Sequence, residues 1–415
     1  MQSRLLKENI LKAIKKTRNT GQKKSCLLEI PAIADELSSA LQSDSYIPLP
    51  LSCFAVKDPK IREIFAPDYK DRVIHHLIVD RIEEFIDKKF IFDCYSNRKN
   101  KGTHEAIKKL RKFLCGENRY CLKSDIKSFF PSIDKNILWN LFSAHIGAIK
   151  EMREDEKTSI LNVSRKIIFQ NPISPLPRFT GNKKLLLSVP GEKSLFCAPK
   201  DKGLPIGSLT SQFFANIYLN ELDRFIKHGL RIKQYIRYVD DFIILGKNKE
   251  TLSKYRQDIQ KFLEDKLKLS LHQKKTFVRE KSKGIDFLGY IVKDKYVLVR
   301  KRTVRSFKRK LYFFNHLIRP DIFPISDPPP SLKISKRYLK KDLIAPVKPD
   351  MAFLQKILSV INSYYGMFSF ANSYNLRKAL YERRFLHLKK YFIPGNNYKK
   401  IKINPAFLED GNPKI

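Results

Sequence analysis

Two adjacent carboxylates, Asp240 and Asp241, interrupt an otherwise apolar run at residues 232–246, IKQYIRYVDDFIILG. The flanking Tyr, Ile and Phe residues favour strands, so the segment reads as strand, turn, strand with the carboxylates at the turn. Two negative charges held side by side between buried strands are costly unless a cation compensates them. An exposed surface turn would also accommodate the tetrapeptide, and the rest of the chain has to decide. A second strand, in RYCLKSDIKSFF, runs apolar and stops at Asp125 and Pro131. A carboxylate at its end can meet the pair from the hairpin, giving hard oxygen donors of the kind magnesium takes at nucleotide-polymerising sites. Two Mg2+ ions, or Mn2+ in their place, would there activate a 3′-hydroxyl and steady a departing pyrophosphate during in-line displacement.

Charge narrows the partners. Lys and Arg number 82 against 42 acidic residues, a net charge of +40 spread from Lys7 to Lys414. Such a surface repels itself unless it meets a polyanion, and nucleic acid rewards it through counterion release. A basic RNA-binding protein without enzymatic activity satisfies the same composition. The six cysteines form no C-x-x-C pair, which points away from zinc and toward reduced, packed thiols. Adjacent His75 and His76 face different ways on a helix, so packing rather than metal binding is expected of them and of His104. The opening residues read as a basic amphipathic helix without an apolar signal core, and no apolar run has membrane length. A cytoplasmic protein without membrane contact is expected.

Residues 1–118 read as an N-terminal extension and a nucleic-acid-facing lobe. They hold helical pieces up to a turn near Ser43, Asp44 and Pro48, and a basic hairpin in LSCFAVKDPKIREIFAP. Helices follow in DRVIHHLIVDRIEEFIDKKF and EAIKKLRKFL, separated by the polar SNRKNKGTH. Residues 119–300 carry the carboxylate strands and the helix FFANIYLNELDRFIKHG, with Ala215, Leu219 and Leu222 on one stripe and a stop at Gly229. The helix LSKYRQDIQKFLEDKL and the strand pair GIDFLGYIV with YVLV complete this part. Within it, residues of about 150–200 form a polar, proline-punctuated insertion expected to hold two strands and loops. Its Arg178, Lys183, Lys184 and Lys193 suit a template or a partner, and equally a solvated loop. Residues 301–415 begin with a basic helix, pass a stiff linker at Pro320, Pro324, Pro328, Pro329 and Pro330, and end helically from about Met351. No nuclease signature is apparent in these last residues.

The order KIREIFAPDYKDRVIHH, YSNRKNKGTH, SDIKSFFPSID, GLPIGSLTSQFFANIYLNELD, RYVDDF, LSLHQKKT and FLGY, over about residues 50–295, resembles the successive blocks of bacterial reverse transcriptases. The resemblance implies an α+β right-hand polymerase: fingers, a palm of antiparallel strands packed on helices, and a helical thumb. It implies RNA-directed DNA synthesis from dNTPs, with Asp125 and Asp240 binding both metals, the Ile126 carbonyl assisting and Asp241 in support. Phe130 matches a bulky residue that crowds a ribose 2′-hydroxyl; its alternative is an ordinary core phenylalanine, a part that Phe129 fills better. Arg62 and Arg98 match positions that hold the triphosphate, a task suited to a guanidinium fork, although either can be one of many phosphate-backbone contacts. Lys275, beside Lys274, matches a lysine that donates a proton to pyrophosphate. Phe287, Leu288, Gly289 and Tyr290 match the primer grip, with a plain core strand as the alternative.

Within that family, Ile206 stands where Gln is common and Gln212 where Pro is common. This version resembles the enzymes of diversity-generating retroelements and implies relaxed fidelity at template adenines. The late segment INSYYGMFSFANSYNLRKAL resembles their thumb ending, and reverse transcriptases of phage-defence systems are also similar. Implied partners are a structured noncoding or template RNA, suited by the basic tail NNYKKIKINPAF, the cDNA product, and an accessory protein or second copy. Two other readings stay open. One is a catalytically silent, maturase-like RNA-binding protein. The other is template-independent or protein-primed synthesis from the same palm, with Tyr364 or Tyr374 offering a hydroxyl unless both are packed thumb aromatics.

Overall fold

The computed structural model describes residues 3–17, 29–57, 60–319 and 349–409. The chain divides into two compact units, Met1–Ala106 with Asn118–Arg279, and Ile107–Glu117 with Glu280–Ile415. The first begins with α1 (Ser3–Lys16), α2 (Ile30–Gln42), the antiparallel hairpin β1 (Ser52–Val56) and β2 (Arg62–Ala66), and α3 (Tyr69–Asp87). α1 buries Leu6, Ile10, Ala13 and Ile14 at helical spacing. Asp68 caps α3 by accepting from the Lys70 amide. Inside α3, the buried Asp71 accepts from the Tyr46 hydroxyl at 2.8 Å and the Leu49 amide at 2.9 Å, mooring the segment before β1 to the helix. His75 is buried and His76 half-buried, as their different faces require.

After α4 (Thr103–Leu114) come β3 (Tyr120–Asp125), α5 (Phe129–Ser132), α6 (Lys135–Gly147) and α7 (Glu154–Phe169). The sixteen-residue α7 corrects the expectation of strands and loops across 150–200. The prolines of that stretch all follow Phe169. Glu154, Asp155 and Glu156 sit in the first turn, where they favour the helix dipole, and Ile160, Val163 and Ile167 recur at helical spacing and are buried. Only the remainder is irregular, with β4 (Arg178–Phe179), α8 (Lys183–Leu187) and short turns. β4 joins β1 in parallel, giving the order β2-β1-β4, with Cys53 opposite both Phe65 and Phe179.

α9 (Leu209–Arg224), β5 (Tyr235–Tyr238), β6 (Asp241–Gly246), α10 (Lys249–Leu267) and β7 (Phe277–Glu280) follow. The central sheet has the order β5-β6-β3-β7, and its β3–β6 register sets Asp125 opposite Asp241. α9 packs against α3, α6 and α10. Ala215, Leu219 and Leu222 are buried as expected, but so are Phe213, Phe214, Ile217 and Tyr218, so the helix is enclosed rather than striped. Its Asn216, Asn220 and Asp223, spaced i, i+4, i+7, are buried too.

In the second unit, β8 (Ile285–Phe287), β9 (Tyr290–Val292) and β10 (Val297–Val299) form a sheet in the order β10-β9-β8. GIDFLGYIV is thus a hairpin, not one strand. It folds at Leu288 and Gly289, which take φ of 49° and 91°. α11 (Lys301–Ile318), α12 (Met351–Phe370) and α13 (Tyr374–Arg384) contribute a buried aromatic core that includes Phe307, Phe314, Phe353, Tyr365 and Phe368. The end is not purely helical: β11 (Phe392–Gly395) pairs antiparallel with β12 (Lys400–Ile403) before α14 (Pro405–Glu409). Asn362 of α12 holds β12 by donating to the Ile401 carbonyl at 3.0 Å and accepting from its amide at 2.9 Å. The proline-rich linker lies outside the described residues. Among those described, no helix is long and apolar enough to cross a membrane.

Burial pushes the Asp71 carboxyl up to about 6, although the bonds from Tyr46 and Leu49 pull it down. With the folded pKa above the unfolded one, its contribution is fully present below about pH 4 and is lost as pH rises through the folded value. Asp71→Asn should flatten the pH profile of stability between pH 4 and 7 by up to about 3 kcal/mol. Urea unfolding at a series of pH values reads this, and an unchanged profile counts against it.

Candidate active site

The turn that presents the carboxylates is strained. Val239 is β-branched yet takes φ +56°, a left-handed conformation that costs such a residue roughly 1–3 kcal/mol. A fully buried side chain braces it: Arg237 donates from Nη1 to the Val239 carbonyl at 3.0 Å. The Nε and Nη2 atoms of the same guanidinium meet the two oxygens of buried Asp223 at 2.7 and 2.6 Å. Nη1 also reaches Asn216 Oδ1 at 3.3 Å, and the Tyr235 hydroxyl donates to Asp223 Oδ1 at 2.6 Å. Two backbone bonds at 3.0 Å, from the Arg237 amide to the Asp93 carbonyl and from the Tyr95 amide to the Arg237 carbonyl, tie β5 to the loop between α3 and α4.

Beside this turn, the Ile126 amide donates to the Asp240 carbonyl at 3.2 Å, and the His272 amide to the Asp125 carbonyl at 2.7 Å. Both backbones are therefore fixed where their carboxylates emerge. Burial pushes Asp240 up to about 6, and the charge of Asp125 adds to the effect. Burial likewise pushes Asp241 up to about 7, against the pull of Lys123. Lysines answer part of this negative charge: Lys275 Nζ donates to Asp125 Oδ1 at 2.6 Å, and Lys123 Nζ stands 3.5 Å from Asp241 Oδ2. Lys60 and Arg62, at the entry to β2, add positive charge close enough to interact with Asp240. Among the described residues, no three His, Cys, Asp or Glu side chains stand ready to hold a metal ion. The donor set still fits a hard cation, because Asp241 Oδ1 is buried without a hydrogen-bond partner and Asp125 and Asp240 repel each other.

The other expected residues fall as follows. Lys275 reaches the site, whereas Lys274 is exposed. Phe129 is buried in the core and Phe130 half-buried against it, ring centroids 5.3 Å apart. The carbonyl of half-buried Ile206 accepts from the Phe65 amide at 2.8 Å. Next to it, Gly207 has φ +133°, and a Cβ there would fall 2.7 Å from the Phe65 carbonyl oxygen, so only glycine lets this loop lie against β2. Gln212 is exposed on α9.

Arg98 requires a correction. Its Nε and Nη2 bond the Asp87 carboxylate at 2.6 and 3.0 Å, Nη2 also bonds the Asp87 carbonyl, and Nη1 bonds the carbonyls of Ile91 and Cys94. All five N–H donors of a guanidinium are thus spent on the fold, which leaves none for a triphosphate.

Phe287 and Tyr290 are core residues of the second unit, with the Tyr290 hydroxyl donating to the Met367 carbonyl at 3.0 Å; Leu288 and Gly289 form the turn between them. Tyr364 stacks on Phe307 at 4.7 Å, while Tyr374 is exposed.

The reading from sequence missed Lys60, Lys123, Asp223 and Arg237. A signal existed for the last two: an arginine inside the apolar strand, and a polar stripe at Asn216, Asn220 and Asp223 on a helix of otherwise core character.

With this geometry in place, comparison with known proteins defines the class. The profile of the family described as "Reverse transcriptase (RNA-dependent DNA polymerase)" matches residues 56–292. The chain belongs to this family, and its fold is of the right-hand polymerase class. Protein YkfC of Escherichia coli K12 is 24% identical over 314 residues, covering 66% of this chain and 72% of its own. The group II intron-encoded protein LtrA of Lactococcus lactis is 22% identical over 341 residues; the match takes in 66% of this chain and 52% of that one, so the chain spans about half its length. Nuclear intron maturase 1 of Arabidopsis thaliana is 23% identical over 56% of this chain and 42% of its own. Among solved structures, apo telomerase from Candida tropicalis aligns with a TM-score of 0.42 at 14% identity, covering 86% of this chain and 65% of that one.

Arg237→Met should destabilise the first unit by about 3–5 kcal/mol, since it strands the buried Asp223 charge. Adding Asp223→Leu should recover part of the loss, because a buried ion pair is worth less than the charge left behind when one partner goes. Denaturant unfolding of the two variants checks this, and a single variant as stable as the wild type would contradict it.

Proposed function

We propose that this chain copies an RNA template into DNA at the carboxylates of Asp125, Asp240 and Asp241. The observation that carries the reading is their convergence beneath a braced turn, with lysines on Asp125 and Asp241 and the second oxygen of Asp241 orphaned. Asp125, Asp240 and the Ile126 carbonyl would hold two Mg2+ ions, with Asp241 in support. Bound there, the ions would supply Lewis acidity to the attacking 3′-hydroxyl and to the leaving pyrophosphate. Lys275 would leave Asp125 as metal enters and stand ready to donate its proton to pyrophosphate. Arg62, exposed and with Lys60 beside it, would hold the triphosphate, and half-buried Phe130 would crowd a 2′-hydroxyl. In this assignment residues 1–118 are the N-terminal extension and fingers, 119–300 the palm, and 301–415 the linker and helical thumb region; Phe287, Leu288, Gly289 and Tyr290, near the end of the palm, would grip the primer.

The finer proposal is cDNA synthesis from a dedicated structured RNA, in a diversity-generating or antiphage setting. Apolar Ile206 next to Gly207, together with exposed Gln212, supports it. Two relatives, an intron-encoded protein and an intron maturase, lend support to a silent, maturase-like RNA-binding reading. Retention of all three carboxylates favours the enzyme.

Primer extension with Mg2+ and dNTPs on an RNA template discriminates. Asp125→Asn, Asp240→Asn and Asp241→Asn should each abolish incorporation while leaving RNA affinity intact, and Lys275→Gln should lower kcat about a hundredfold. Errors concentrated opposite template adenine would support the diversity-generating setting. An inert wild type that still binds RNA tightly would transfer the case to the silent reading.

A further inference from the structure

We propose that Phe179 and Phe196, on the face of the β2-β1-β4 sheet that carries Phe65, form a stacking platform for the unpaired template strand. This rests on the RNA-copying reading above. The two rings lie 6.0 Å apart and 24° from parallel, and Phe196 is 5.7 Å from the buried ring of Phe65. Phe179 is 42% exposed and Phe196 37%, so a stacked aromatic pair meets solvent.

Its supports are rigid. The Arg178 amide donates to the Leu51 carbonyl and the Thr180 amide to the Cys53 carbonyl, both at 2.9 Å, which fixes Phe179 between them. On the other side, buried Glu63 accepts from Ser194 Oγ at 3.1 Å and from the Leu195 amide at 2.8 Å. A buried carboxylate is costly, and here it clamps the short turn that presents Phe196. Ring positions held this firmly lose little entropy when a base stacks on them.

The surroundings select the ligand. Residues 171–203 contain Arg178, Lys183, Lys184, Lys193, Lys200 and Lys202 against only Glu192 and Asp201. Flat aromatic faces among unbalanced positive charge suit single-stranded nucleic acid, whose bases are free to stack while its phosphates meet lysine and arginine. Duplex offers no free base faces. Phe65 lies three residues along β2 from Arg62, roughly 10 Å by strand rise, and the alternation of side chains puts it on the opposite face of the hairpin. The strand held there is therefore outside the base pair being formed, as template awaiting copying is.

The full chain is tested by anisotropy and by extension, on DNA-primed RNA templates with overhangs of about 2 or about 12 nucleotides, spanning the usual size of such sites. Phe179→Ala/Phe196→Ala should weaken binding to the long overhang about tenfold or more, leave the short one unaffected, and preserve the salt slope. Arg178→Gln/Lys184→Gln should instead reduce that slope by about 2. The neighbouring exposed Leu176 and Leu187 serve as a control for a protein partner. Equal affinity of the Phe variant and wild type for the long overhang, or equal losses on both overhangs, overturns the platform. Loss of self-association or of protein binding in the Phe variant and in Leu176→Ser/Leu187→Ser, with RNA affinity intact, overturns it in favour of a protein site. Failure of wild-type extension on every template would sink the copying reading separately, because overhang binding is read without turnover.

Discussion

The buried pair of Arg237 and Asp223 is the contact on which the geometry of the carboxylate turn depends. It spans the sheet and the helix beneath it, and a further hydrogen bond from Arg237 reaches the carbonyl of Val239, the residue of the carboxylate turn that takes an unfavourable conformation. An apolar replacement of similar volume would fill the same space but could not reach that carbonyl. The desolvation cost of two enclosed charges is thus offset by placement as well as by mutual attraction. Tyr235 and Asn216 satisfy other lone pairs and donors around the pair, so the network is nearly closed.

Charge balance sets the next layer. Three carboxylates lie close enough to repel one another, and burial and proximity raise Asp240 and Asp241 above the usual carboxylate range. Lys275 and Lys123 compensate from strands and turns that the sheet already orders. A site stabilised by internal cations stays folded without metal, and on the proposed reading those lysines would give way as metal enters. Arg98, despite its position in a fingers block, belongs to the scaffold instead: every donor it has is used within 11 residues of itself.

Much of this was legible in the sequence because strand periodicity and turn chemistry are local. The hairpin at Asp240 and Asp241, the strand ending at Asp125, and the helical stop at Gly229, where a π-helical turn from Phe225 prolongs α9, all follow from neighbours within a few residues. What was hidden depended on distant partners. α7 was obscured by the prolines that follow it, although its apolar spacing is regular. The role of Arg98 was invisible because whether a guanidinium is free or spent is decided by Asp87 and two carbonyls, not by its own position in a block. Lys60 and Lys123 look like two among 82 basic residues until the fold brings them beside aspartates. Glu63 and Phe196, 133 residues apart in sequence, carry no local sign that one fixes the other's turn.

The most direct measurement is a Mn2+ titration of the full chain followed by electron paramagnetic resonance, with primer, template and an unreactive nucleotide bound. Two ions per chain, displaced by Mg2+ and lost in Asp240→Asn, are predicted. Failure to bind Mn2+, or unchanged binding in Asp240→Asn, would contradict the assignment of the three carboxylates as a divalent-metal polymerase centre.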